Sequence, residues 1–139
     1  MSTVIRPELS LKNKYWIDKH RYYELKHYCL QYLSWKKTYA AIEELSMTSS
    51  VIDRLPSSNI PGDLTAKYAM KKAHYSEKIN MIERAAMDAD EDLYIYILKA
   101  VTEGLSFTYL KSRLEMPCSR DTYYDRYRRF FWLLSKARD

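Results

Sequence analysis

Apolar side chains recur every three or four residues along most of the chain, a spacing typical of amphipathic α-helices. The first such pattern is predicted to begin at Ser10, an N-cap, and to continue to about Tyr32. Its predicted inward face comprises Tyr15, Tyr22, Leu25, Cys29 and Leu33, widened by Trp16, Tyr23 and Leu30. Ser34 is predicted to cap a second, shorter helix from Trp35 to about Leu45.

The run SMTSSVIDRLPSSNIPGD, residues 46–63, interrupts this pattern. Ser, Pro, Asn, Gly and Asp cluster there, as they do in loops. Asp63 is predicted to cap a long helix that reaches Asp88, with an inward stripe of Leu64, Tyr68, Tyr75, Ile79, Ile82 and Ala86. We therefore expect an N-terminal helical segment over 1–46, a linker over 47–63, and a third segment over 64–139.

The last part of the chain, residues 91–139, contains three predicted helices with recognisable ends. The first, from Glu91 to Glu103 with Leu93, Ile97 and Val101 inward, ends before Gly104, which suits a left-handed C-cap. The second, capped by Ser106, is short and turns Phe107, Leu110 and Leu114 inward. After the turn EMPC, Ser119 caps a helix from Arg120 to about Ala137. This order predicts a tri-helical helix-turn-helix at the end of an all-α helical bundle.

The final predicted helix has two different faces. Tyr123, Tyr127, Phe130 and Leu134 are spaced 4, 3 and 4 residues apart and form an inward stripe. The predicted DNA-binding residues are Ser119, Arg120, Asp121, Thr122, Tyr124, Arg126, Arg128 and Arg129. Arg120, Asp121 and Tyr124, together with Asp125, would approach base edges. The later arginines would contact phosphates, to which Ser119 and Thr122 could also donate. The run FFWLL, residues 130–134, is apolar all round, so it requires a second covering layer, from the N-terminal helix or from another copy of the chain.

Composition and charge agree with a helical, polyanion-binding protein. The 139 residues include only two glycines and four prolines, and 47% are hydrophobic. The net charge is +5, from 23 basic and 18 acidic side chains. Residues 1–40 carry 8 basic and 3 acidic side chains, residues 41–118 carry 9 and 12, and residues 119–139 carry 6 and 3. The two basic ends favour nucleic acid as a partner, although a charge of this size also serves solubility.

Other classes of function lack a signal. The two cysteines, Cys29 and Cys118, are isolated, and His20 and His27 are too far apart along a helix to share one metal ion. Gly-rich phosphate loops, G-x-S-x-G and H-E-x-x-H are absent from the sequence. We therefore expect no catalytic residues, metal or cofactor, and no membrane segment. The expected location is the cytoplasm.

Residues 100–134, AVTEGLSFTYLKSRLEMPCSRDTYYDRYRRFFWLL, resemble the C-terminal helix-turn-helix of region-4-type sigma factors. They resemble more closely the phage and prophage regulators of the ArpU and RinA type. The resemblance covers residues 91–139, and it implies duplex-DNA binding and transcription regulation. Upstream, KNKYWIDKHRYYELKHYCLQYLSWKK, residues 12–37, is similar to uncharacterised prophage proteins of Firmicutes.

Two alternatives stay open at this point. One is a small terminase subunit, which would also bind DNA but would assemble as a ring. The other is a phage inhibitor of a host protein such as a CRISPR nuclease, which would expose outward aromatics such as Trp132 or Tyr28. A DNA-binding regulator would instead be a homodimer and would expose Arg120, Arg126, Arg128 and Arg129 on one continuous face.

Overall fold

The computed structural model describes residues 13–53 and 62–139, with side chains described over 13–48 and 64–139. It contains six helices: α1 Lys19–Cys29, α2 Tyr32–Asp53, α3 Gly62–Ala89, α4 Tyr94–Glu103, α5 Phe107–Arg113 and α6 Arg120–Ala137. The described residues form no strand, so the predicted all-α class is confirmed. Ser10, the predicted first cap, lies outside the described residues.

The chain divides into two compact units. The first unit consists of the described part of residues 1–31 together with Met81–Asp139, and the second unit is Tyr32–Asn80. The predicted helix-turn-helix region therefore shares the first unit with α1 and with the last turns of α3.

The first helix begins later than predicted. Asn13 Oδ1 accepts from the Tyr15 backbone N–H at 2.8 Å, and Asp18 Oδ2 accepts from His20 N–H at 2.9 Å. These short-range bonds favour a turn followed by an N-cap, so residues 13–18 are not helical and α1 starts at Lys19.

The helix also stops earlier, at Cys29, and the chain turns at residues 30–31. Tyr22, Leu25 and Cys29 are buried as predicted. The break resets the helical phase, so Leu30 and Leu33, assigned to the inward face, are 43% and 46% exposed. Tyr23, also assigned to that face, lies before the break within α1 and is 36% exposed.

Helix α2 is longer than predicted at both ends, because it begins at Tyr32 and continues to Asp53. Ser34 therefore lies inside the helix and does not cap it. The Ser/Thr-rich run after Leu45 remains helical through Asp53. In it, the Thr48 hydroxyl donates a hydrogen bond to the Glu44 carbonyl one turn earlier, at 3.1 Å. The predicted linker thus overlaps the end of α2, and its residues 54–61 lie outside the described part of the chain.

Helix α3 begins at Gly62, so Asp63 lies in its first turn instead of capping it. Within the second unit, Lys78 of α3 lies over the Trp35 ring of α2 at 5.1 Å, and Ile42 and Ile79 are buried. An apolar groove of about 490 Å³ opens between the two helices. Leu45 and Met70 on its walls are 53% and 74% exposed.

The three helices of the predicted helix-turn-helix are present in the first unit. Helix α4 starts at Tyr94 instead of Glu91, because Asp90 Oδ1 accepts from the N–H groups of Asp92 and Leu93 at 2.8 and 3.0 Å and holds residues 90–93 in a turn. Gly104 adopts the predicted left-handed conformation, with φ 71° and ψ 33°. The predicted cap of α5 by Ser106 is confirmed, since its side chain accepts from the Tyr109 N–H.

The core of the first unit is formed by apolar side chains from α1, the end of α3, and α4 to α6. The predicted inward residues Leu93, Ile97, Val101, Leu110, Tyr123, Phe130 and Leu134 are all buried. Phe107, Leu114 and Tyr127 are only half-buried. Met116 and Phe131, 1% exposed each, also belong to this core. Burial of side chains of this size contributes about 1.5–3 kcal/mol each, which is enough to fix α6 against the rest of the unit.

Candidate nucleic-acid interface

The turn between α5 and α6 is held from several sides. Lys111 Nζ donates to the carbonyls of Met116 at 3.1 Å and Cys118 at 2.9 Å. The Met116 N–H donates to the Leu110 carbonyl at 3.1 Å, while its side chain is buried. Glu115 completes the turn with a φ of 53°, in the left-handed region. These contacts therefore fix the position of Ser119 and of the start of α6.

The first turn of α6 is exposed and capped. Ser119 Oγ accepts from the Thr122 N–H at 3.2 Å and lies 3.0 Å from Thr122 Oγ1, to which it donates. Ser119, Arg120, Asp121 and Thr122 are all exposed. The N-terminus of an 18-residue helix carries a partial positive charge that attracts anions. This end of α6 can therefore approach a phosphate backbone without rearrangement.

The other half of α6 is covered by the N-terminal part of the chain. The hydroxyls of Tyr22 and Tyr127 are hydrogen-bonded at 3.0 Å, and the Tyr22 ring meets Phe131 edge-on at 5.0 Å. Arg21 donates from Nη2 to the Ser135 carbonyl at 2.9 Å and from Nε to Ser135 Oγ at 3.0 Å. Helix α1 thus closes the C-terminal half of α6 and leaves the N-terminal half open.

The apolar run 130–134 has its second layer within the same chain. The Tyr15 ring lies 5.4 Å from the Trp132 ring, and Lys136 Nζ stands 3.4 Å from the centre of the same indole. Of the two covering layers considered, the N-terminal part of the chain lies on this run, and the covering residue Tyr15 belongs to the non-helical segment 13–18 that precedes α1. Tyr28 is covered in turn by the Arg138 guanidinium at 4.0 Å.

The four arginines expected on one face lie on different sides of α6. Arg126 Nε is 3.3 Å from Asp90 Oδ2, and its Nη1 is 3.6 Å from Asp125 Oδ2. The Asp90 contact joins α6 to the start of α4 through charge, because the Nε–H is not aligned for a hydrogen bond. Arg120 lies over the rings of Phe107 and Tyr124 at 5.4 and 5.5 Å.

Arg128 and Arg129 are the arginines of α6 best placed to meet a ligand. Both are half-exposed, and neither forms an ion pair with any residue in the described part of the chain. Arg128 follows Asp121 and Asp125 at spacings of 7 and 3, so the three share the outward face. Two cations on this face are therefore available for phosphates, and the Asp121 carboxylate for base-edge amines, while Asp125 Oδ2 lies 3.6 Å from Arg126 Nη1.

The remaining predicted contact residue, Tyr124, is half-buried. Its ring lies 5.9 Å from Phe107 and 5.1 Å from Tyr123. The Tyr124 ring therefore packs beneath the exposed first turn of α6 more than it extends into solvent.

The buried phenols and thiol of this unit are neutral packing groups at physiological pH. Burial raises the pKa of Tyr123 and of Cys29 far above their ordinary values. Desolvation of the Tyr127 hydroxyl, together with its contact with the Tyr22 hydroxyl, raises the pKa of Tyr127, although the rest of its side chain is half-buried. Among the described residues, no group of three or more His, Cys, Asp or Glu side chains could hold a metal ion. The described helices are also each too short or too polar to cross a membrane.

Two residues that stabilise this region could not be identified from the sequence. Lys111 resembles any exposed helix lysine, and its role depends on carbonyls five and seven residues ahead. Asp90 is predicted to lie in a break between helices, but its contact with Arg126 spans 36 residues. Local patterns carry no signal for such a pair.

No family model, curated protein or solved structure matches this chain. The resemblance of residues 91–139 to phage regulators therefore stays a prediction.

Proposed function

We propose that this chain is a phage- or prophage-derived DNA-binding protein that regulates transcription in the bacterial cytoplasm. Helices α4 to α6 serve as the helix-turn-helix, and α6 is the helix that enters the major groove. The protein acts by binding, without catalysis, metal or cofactor.

The observation that carries this proposal is the division of α6 into a covered half and an open half. Recognition helices contact base edges with their N-terminal residues. In α6 that end is capped by Ser119 and exposed, while Tyr127, Phe131 and Ser135 further along are held by α1.

Charge on the outward face of α6 supports the same conclusion. Arg128 and Arg129 carry no ion pair with the described residues, so binding a phosphate would not require breaking one. Asp121 could accept from the exocyclic amine of cytosine, which would add sequence preference to a phosphate-driven affinity. Arg126 is assigned to the fold, because Asp90 holds it.

The test is a salt titration of binding to a random duplex by the wild type and by Arg128→Ala/Arg129→Ala. Each phosphate that the variant no longer neutralises should reduce the slope of log affinity against log salt by about 0.9. The double variant should therefore have a slope shallower by about 2, and the wild type should lose roughly tenfold more affinity than the variant between about 50 and 200 mM salt. The matched control is Arg84→Ala/Lys99→Ala, which removes two exposed charges from α3 and α4. Equal slopes in all three proteins would exclude Arg128 and Arg129 from the interface and refute the phosphate-binding role of their face.

A second candidate function, inhibition of a host protein, is supported by a different surface. The groove of the second unit is apolar and open, with Ile42, Leu45, Met70 and Tyr75 on its walls. Exposed apolar grooves of this kind suit a protein partner. However, the exposed patch expected for an inhibitor is not formed by Trp132 and Tyr28, since Tyr15 and Arg138 cover them. A Leu45→Lys/Met70→Lys variant that keeps full DNA binding but loses its biological effect would favour this candidate.

A further inference from the structure

The aromatic contact between the N-terminal segment and α6 brings two lysines to one place. Tyr15 packs against Trp132 with ring centres 5.4 Å apart. Lys14 Nζ lies 5.0 Å from the centre of the Tyr15 ring, and Lys136 Nζ lies 3.4 Å from the centre of the Trp132 ring. The two ammonium groups thus flank one aromatic pair, although 122 residues separate them in the sequence.

These lysines continue the outward face of α6. Arg128, Trp132 and Lys136 follow one another at spacings of four residues, so they lie along one side of the helix, with Arg129 beside them. Lys14 and Lys136 are exposed, and neither forms an ion pair within the described residues. The carboxylate nearest the end of α6, Asp139, is instead engaged by Arg21 at 2.8 Å.

We infer that Lys14 and Lys136, positioned by the Tyr15–Trp132 contact, form a second phosphate-binding site that extends the α6 surface along the nucleic-acid backbone. This inference rests on the proposed function, because it assigns further contacts to the same DNA-binding face. It assigns Trp132 and Tyr15 the role of positioning residues, which hold two flexible lysine stems in a common place. Loss of stem freedom before binding reduces the entropy cost of fixing each ammonium on a phosphate.

The site has a consequence for how the protein would approach DNA. Base-edge contacts come from the first turn of α6, and Arg128 and Arg129 follow about two turns later. Lys136 lies two further turns along the helix, and the segment with Lys14 lies beside it. The N-terminal segment therefore acts as a backbone clamp at the far end of the recognition helix, leaving the first turn free for the groove.

The experiment compares four full-length proteins on a fluorescent random duplex: the wild type, Lys14→Gln/Lys136→Gln, Lys14→Arg/Lys136→Arg, and the control Arg84→Gln/Lys99→Gln. The glutamine pair keeps both stems but removes both charges. We expect its salt slope to fall by about 2, because two phosphates are no longer neutralised, while the arginine pair and the control keep the wild-type slope. Unchanged melting temperatures would show that the fold is intact in each protein.

The outcomes separate this inference from the proposed function. If the wild type binds and the glutamine pair keeps its full slope, the second site is refuted while the role of α6 stands. A control pair that lowers the slope as much as the glutamine pair would also refute it, because the effect would then be one of net charge. If the wild type binds no duplex at low salt, the proposed function itself fails.

Discussion

Replacement of Gly104 by alanine tests how the first turn of the helix-turn-helix is made. Gly104 ends α4 with φ 71° and ψ 33°, the left-handed conformation that a Cβ disfavours. Space is not the obstacle, because a Cβ built at this position would meet Leu30 Cδ2 at 3.9 Å, an ordinary van der Waals contact. The whole cost of Gly104→Ala should therefore be conformational.

The magnitude follows from two opposing terms. Placing a residue with a Cβ in the left-handed region costs roughly 1–2 kcal/mol. Alanine also restricts the unfolded chain, which recovers about 0.4–1 kcal/mol. The net destabilisation should be about 1 kcal/mol, equivalent to a decrease in melting temperature of about 3–5 °C for a chain of this length.

Urea unfolding followed by circular dichroism measures this directly. A lower midpoint with an unchanged m-value would show a loss of stability without a change in the surface exposed. The matched control is Gly62→Ala, the same substitution at the start of α3, where the backbone is helical and alanine should be neutral or stabilising. Equal stability of Gly104→Ala and the wild type would refute the argument that glycine is required by its conformation.

Three further predictions follow from residues of the same unit. Glu115→Gly should stabilise the protein by about 0.5–1 kcal/mol, because Glu115 has a φ of 53° and glycine removes that strain; a decrease in the urea midpoint would contradict this. Asp90→Ala should lower the free energy of unfolding by about 1–2 kcal/mol, because it removes two hydrogen bonds to backbone N–H groups at the start of α4 and a part-exposed ion pair with Arg126. The control Asp88→Ala, at an exposed site, should change stability little, and equal urea midpoints for the two variants would contradict the prediction. Burial raises the pKa of Tyr123 above its ordinary 10.0, so the free energy of unfolding should fall by up to about 1.4 kcal/mol per pH unit as pH rises above 10. Tyr123→Phe should lose stability less steeply between about pH 10 and 11, and an equal loss in the two proteins would count against the assignment.

Helix ends that depend on local chemistry could be predicted from the sequence. Gly104, Ser106 and Ser119 each fix a helix end through their own backbone or through a residue three positions ahead, so a short pattern suffices to find them. The inward stripe of α6 was predictable for the same reason, since Tyr123, Phe130 and Leu134 follow the helical period.

The ends of α1 and α2 could not be predicted, because local turn-forming contacts compete there with a regular helical pattern. The apolar residues between Tyr15 and Leu33 fit one continuous helix, but turn-forming bonds at Asn13 and Asp18 delay its start. A further turn at residues 30–31 separates α1 from α2. Leu30 and Leu33 consequently lie at the surface, because the helical phase that would bury them does not persist.

The candidate interface was only partly predictable. The exposed first turn of α6 and its cap follow from the sequence, whereas the state of each arginine depends on distant partners. Arg126 is held by Asp90, and Lys136 is brought to Lys14 through the contact of Trp132 with Tyr15. Such contacts arise only when the chain folds, so charge counts along the sequence cannot distinguish an arginine of the fold from one available to DNA.

The most direct test of the central claim is binding of the wild type to a random duplex, measured by fluorescence anisotropy between about 50 and 200 mM salt, with the mass from light scattering. We expect a dissociation constant in the range of about 1–100 μM, and binding that weakens steeply with salt. A dimer mass would support a regulator reading paired half-sites, and a ring of many subunits would instead favour the terminase alternative. Absence of binding at about 50 mM salt would contradict the claim.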